Sequence, residues 1–206
     1  MFIKFAKRFC FILPVFSIVA TSWSQSPAPK TYRDYPEWAE FPDAIDFEDE
    51  AAVLQYRRFV EKGESAYDAL MAVVRECDDS CLVGTALGIL RESKGDKRAV
   101  VAELKEIFAK RLPQAEGDEA WIMIYMAKTI AETGGEEDAA ALIPMLEHPR
   151  WEIRVNGARF LGRLGGQRAL EALECAKTRP QNQEPTEKDA IEEAISTIEK
   201  RLKKQE

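Results

Sequence analysis

The sequence predicts an all-α fold: about four helical hairpins stacked on one another, closed by a C-terminal capping helix. Three observations predict it. Residues Glu152 to Leu173 read EIRVNGARFLGRLGGQRALEAL, a helix with a double-glycine stop followed by a second amphipathic helix. Glycine stops at Gly63, Gly95, Gly134 and Gly165 recur at intervals of 32, 39 and 31 residues, a period that suits one hairpin per repeat. No run of alternating β-branched residues is long enough for a strand. A single hairpin cannot bury its apolar face, so stacking is what supplies the core.

The N-terminus stands apart from this pattern. Lys4, Lys7 and Arg8 precede an apolar run from Phe9 to Ala20, and small residues follow, with Ala20 and Ser22 or Ser22 and Ser24 at cleavage spacing. This is the pattern of a secretory signal peptide over 1–24. The alternative is an uncleaved anchor, but the run is short for a permanent span. Residues 25–46 form a Ser/Pro linker and then an acidic-aromatic arm. In it Tyr32, Tyr35, Trp38 and Phe41 recur every third residue, a period that lines the rings along one edge. They act either as a cap on the open apolar end of the stack or as an exposed ligand arm. The cost of an exposed aromatic stripe favours the cap.

Helices account for residues 47–206. Asp46 suits an N-cap, with Asp49 in the first turn, for a helix ending at Gly63. Ala66, Leu70, Val73, Val74 and Cys77 form the stripe of the next helix. Leu82 to Arg91 is apolar on most sides and should lie deeper. Gly95 ends it and Asp96 caps a helix carrying Val100, Leu104, Ile107 and Phe108. Asp118 opens a helix that Gly134-Gly135 stops. Pro144 should bend the segment from Glu137 to Glu147. Trp151 to Leu164 stops at Gly165-Gly166, and Gln167 to Lys177 is its partner. The last helix, about Glu187 to Lys203, has an outer side dense in Glu and Lys, as a terminal cap requires.

The segment from Ala141 through Arg154, then Ala158 to Gly165, resembles the short HEAT-like repeats of bacterial proteins, a branch of the armadillo-type α-solenoids. An apolar helix leads into a proline turn, then Glu152-Ile153-Arg154, then an Ala/Leu-Gly helix ending at glycine. Gly95 to Val100 and Gly165 to Leu170 match the family's start of a second helix. The resemblance is good over 118–175, fair over 47–112 and absent over 25–46. It implies a right-handed α-α superhelix, and for Arg154 a structural role, bonding carbonyls or an acidic group of the neighbouring repeat. His148 departs from the family's usual aspartate, and the earlier turns lack the arginine.

Composition narrows the function. The chain carries a net charge of −7, which removal of the leader would take to −10. That balance offers no electrostatic footprint for nucleic acid or anionic lipid. Cys77 and Cys81 flank an expected inter-helix turn, and four residues apart they can bridge in an oxidising compartment. The alternative is two packed thiols, and a redox-responsive role for the pair depends on the bridge. Cys175 is read as a core residue. Trp121, Tyr125 and Trp151 can line a cleft, although helix packing is their commoner fate. His148, the one histidine, sits in a turn where a polar residue is expected, and a catalytic apparatus would have to use it. The acidic runs lack calcium-loop spacing and the paired glycines lack a phosphate-loop context.

The resulting expectation is a non-enzymatic, exported scaffold in the periplasm or outside the cell. It would bind another protein, with no cofactor, metal, nucleic acid or stable membrane insertion. Recognition would use the second helices through Glu103, Glu106, Lys110, Glu137, Arg168, Glu171 and Glu174, all of which also suit a solvated helix face. The competing reading is an enzyme or enzyme accessory. Relatives of this repeat type act in bilin attachment or on DNA bases, tasks that fit poorly with an acidic exported chain.

Overall fold

The computed structural model describes residues 32–35, 49–179 and 184–204. The expected leader, Trp38, Phe41 and Asp46 lie outside the described residues. Among the described residues the fold is all-helical, with no strand. The α-helices are α1 (Glu50–Lys62), α2 (Tyr67–Glu76), α3 (Ser80–Glu92), α4 (Lys97–Arg111), α5 (Asp118–Thr133), α6 (Ala139–Leu142), α7 (Trp151–Leu164), α8 (Gln167–Lys177) and α9 (Pro185–Leu202).

Local chemistry sets most of these boundaries. Asp49, Asp79 and Asp96 each take an extended backbone and accept first-turn amides: Asp49 from Ala51, Asp79 from Cys81 and Leu82, Asp96 from Arg98 and Ala99. Each cap satisfies donors that the helix leaves open, at about 1 kcal/mol. The cap of α1 is therefore Asp49, within the described residues, where the sequence suggested Asp46. Pro144 acts as expected. The α-helix ends at Leu142 and the chain tightens into a 3-10 turn, Ile143–Glu147, because proline offers no amide to the ladder.

The glycine stops divide into two kinds. Gly63 and Gly165 follow α1 and α7 directly with φ of 57° and 83°, a region that side chains rarely enter. Gly134 follows α5 with φ of −86°, so its backbone does not require glycine. Gly95 is not a stop at all. Helix α3 ends at Glu92, and Ser93 is its C-cap.

Helix α3 packs on α1, α5 on α3, α7 on α5 and α9 on α7. The intervening helices lie against this row: α2 on α3, α4 on α5, α6 and the Ile143–Glu147 turn on α7, and α8 on α7 and α9. One continuous apolar core runs from Tyr56 to Ile198. Phe59 and Phe108 are each 1% exposed, and such burial stabilises by roughly 1.5–3 kcal/mol per side chain. Small residues set the closest approach. A Cβ added at Gly162 of α7 would sit 2.8 Å from the Ala194 Cβ and 2.9 Å from its Cα on α9.

Side-chain bonds tie helices to the next but one along the chain. Tyr56 donates to Glu92 and Tyr67 to Glu103, each 36 residues apart. Lys105 to Asp138 and Arg154 to Glu187 span 33, Arg163 to Glu132 spans 31, and Arg179 to Glu147 spans 32. Arg75 to Glu103 spans 28, Arg201 to the Arg163 carbonyl 38 and Arg91 to Glu132 41, so the intervals scatter around the spacing of the glycines.

Candidate functional surface

The best-built cluster is the junction at the start of α7. Arg154 is 6% exposed and Glu187, in the first turn of α9, is 0% exposed. The guanidinium donates through Nε and Nη2 to the two Glu187 carboxylate oxygens at 2.7 and 2.8 Å. Its Nη1 donates to the His148 and Pro149 carbonyls at 2.9 and 2.8 Å. Arg154 thus meets both carbonyls and an acidic group, and the fork geometry makes this a strong, directional pair. A second polar tie lies beside it, where Arg150 Nη2 donates to Glu152 at 3.0 Å and holds that carboxyl below its ordinary range.

His148 completes the junction. It is 6% exposed. Its Nδ1 accepts the Arg150 amide at 3.2 Å, while the ring also bonds the Leu112 backbone. Burial is the main force pushing its pKa below the ordinary 6.5, and the cations Arg150 and Arg154 add to it. A neutral native imidazole means that the unfolded chain binds the extra proton first as pH falls. Stability is therefore full above 6.5 and declines as pH drops through the window just below it. We expect urea midpoints of the native chain to fall between pH 7 and the mild acid range, before carboxylates titrate. His148→Gln should flatten that segment. A parallel decline in both proteins would remove His148 as the cause.

Sequence reasoning missed several ties of the same kind. Lys97 donates its amine to the carbonyls of Leu90 and Arg91 at 2.6 and 2.9 Å, and also to that of Ser93, closing the end of α3. Burial lowers its pKa. Arg111 forks onto Glu119 at 2.6 Å through both Nε and Nη2 and donates Nη1 to the Val74 carbonyl at 3.1 Å. It joins α2, α4 and α5 at a turn that lacks the turn arginine. For Arg111 the sequence signal was only a basic residue in a last turn, which dipole compensation alone accounts for; Lys97 opens α4, where its own helix dipole gives a cation no reason to sit.

The expected recognition residues fall along α4, the Glu136–Asp138 turn and α8. Glu103 is half-buried and committed: it accepts the Tyr67 hydroxyl at 2.9 Å and Arg75 Nε at 2.6 Å. Burial first, then this carboxylate, pushes Tyr67 up to about 12. Glu106, Lys110, Glu137, Arg168, Glu171 and Glu174 are exposed. They are of mixed sign and lie on separate elements.

Three expectations are corrected. Cys77 and Cys81 are unpaired. Cys77 is the extended C-cap of α2 with its thiol in the core, whereas the Asp79 cap fixes Cys81 on the outer side of α3, exposed. Cys175 is exposed as well, because α8 buries Ala169, Leu173 and Ala176 and turns the neighbouring position outward. Trp121 and Trp151 are 47% and 45% exposed. They occupy the first turns of α5 and α7, where Ala120, Ile122 and Ile153 face the core instead.

Among the described residues no group of His, Cys, Asp and Glu can hold a metal ion. Among them, too, no helix is long and apolar enough to cross a membrane. No family model, curated protein or solved structure is significantly similar to this chain, so its function is argued from geometry.

Proposed function

We propose that the chain is an α-solenoid of HEAT-like hairpins. Within that class we assign it the role of an exported, non-catalytic scaffold that binds another protein. The observation that carries the class is the recurrence of side-chain bonds between a helix and the next but one, at 28 to 41 residues, together with helices that pack on the next but one along the chain. Both are what a stack of equivalent hairpins produces. Such a stack offers long faces of solvated side chains. The basic, apolar leader of the sequence supports export. The exposed band on α4 and α8 is the surface assigned to recognition.

The test is capture of partners from the native cell envelope by the full chain and by charge-reversed variants at Glu106, Lys110, Arg168 and Glu171. A changed set of partners is the expected result. An identical set for every variant would remove the assigned band.

A further inference from the structure

A second surface lies between α7 and α9. There an open groove of about 450 Å³ follows the two helices. Its floor is built from Gly162, Ala190 and Ala194, the small residues at which the helices touch. Its walls carry three arginines, Arg159, Arg163 and Arg201, against one carboxylate, Glu193. That excess of positive charge runs against a chain whose net charge is −7.

Two of the three arginines are held in place. Arg163 Nη1 donates to Glu132 on α5 at 2.9 Å, yet 58% of its side chain is exposed. Arg201 Nη1 donates to the carbonyls of Arg163 and Leu164 at 2.9 and 3.2 Å. A guanidinium has five N–H groups, so both keep donors for a further acceptor. Their positions in the last turns of α7 and α9 also answer the helix dipoles. Arg159 has no such explanation. It lies mid-helix, is exposed, and has no acidic partner among the described residues.

We propose that the α7–α9 groove binds a short acidic peptide segment of a partner protein, its carboxylates engaging Arg159, Arg163 and Arg201. The small-residue floor lets an extended backbone approach, and the arginine forks match carboxylates. A nucleic acid is a poorer fit, since three cations on an acidic chain cannot offset the repulsion of a polyanion. The proposal rests on the scaffold reading and adds the partner's chemistry on a different face.

The test is fluorescence anisotropy of labelled hexaglutamate titrated with the full chain, with hexaglutamine as the neutral control. Hexaglutamate should bind, more weakly as salt rises. Arg159→Glu should weaken it by about tenfold or more, Arg159→Lys by less, because a point charge replaces a fork. Arg58→Glu, exposed on α1, should leave it unchanged. Thermal melting of the Arg159 variants should match the native chain, as suits an exposed side chain. Equal binding of hexaglutamine, indifference to Arg159→Glu, or displacement of the peptide by oligothymidylate at lower concentration than by unlabelled hexaglutamate would each overturn the proposal. Loss of peptide binding with partner capture still dependent on α4 and α8 would sink this groove alone. The converse would sink the α4–α8 band alone.

Discussion

Arg154→Met should destabilise the chain by about 3–5 kcal/mol, the cost of stranding a buried charge. Glu187 has no solvent exposure, so the carboxylate left behind cannot be rescued by water. The same substitution frees the carbonyls of His148 and Pro149 and loosens the turn that starts α7. Against a typical domain stability of about 5–15 kcal/mol, this is a large fraction. The double variant Arg154→Met, Glu187→Leu should recover most of the loss, since two apolar side chains of similar size need no partner. Removing the exposed Arg163–Glu132 pair through Arg163→Ala should cost about 1 kcal/mol or less. Urea unfolding of the four proteins decides the matter. An Arg154→Met variant as stable as Arg163→Ala would show that the junction holds nothing together.

The second large effect is expected at Gly162→Ala. In an exposed helix this exchange stabilises by about 0.8–1.0 kcal/mol. Here the new methyl would lie within 2.9 Å of both Ala194 Cβ and Cα, and no flexible side-chain end is available to move aside. The helices must separate, and the tightly packed α7–α9 contact would open along its length. A net loss of about 1–3 kcal/mol follows from overpacking. Ala194→Gly in the same chain should return part of it, by vacating the space on the other side. Thermal unfolding of the single and double variants measures both. A stabilised Gly162→Ala protein would mean that the two helices have room to spare.

Sequence reading succeeded where the signal is local. The Asp96 cap and the Gly63 and Gly165 stops are set by backbone chemistry within one turn of the residue, and each falls where the spacing put it. It failed where a side chain had to choose a face. Cys175 lies one position from the buried stripe of Ala169, Leu173 and Ala176, a rotation of 100° that helical periodicity on so short a helix does not fix. Trp121 and Trp151 were assigned to packing by their size, yet first-turn positions stand at the rim of the core. The recurring glycine spacing points to Gly95 as a stop, whereas Ser93 already ends α3. The basic groove had no sequence signature, for its arginines come from two helices, with Arg159 and Arg201 far apart in the chain.

By itself the sequence determined that this protein is helical and where most helices begin and end, since those depend on residues a few positions apart; the turn role of Arg154 was what the HEAT-like resemblance implied. Only the tertiary structure decided that Arg154 meets Glu187, that Cys77 and Cys81 face different surroundings, and that three arginines share one groove. Those outcomes depend on how helices some thirty residues apart come into register, and that is fixed by the fit of small residues such as Gly162 and Ala194 at the contacts between them.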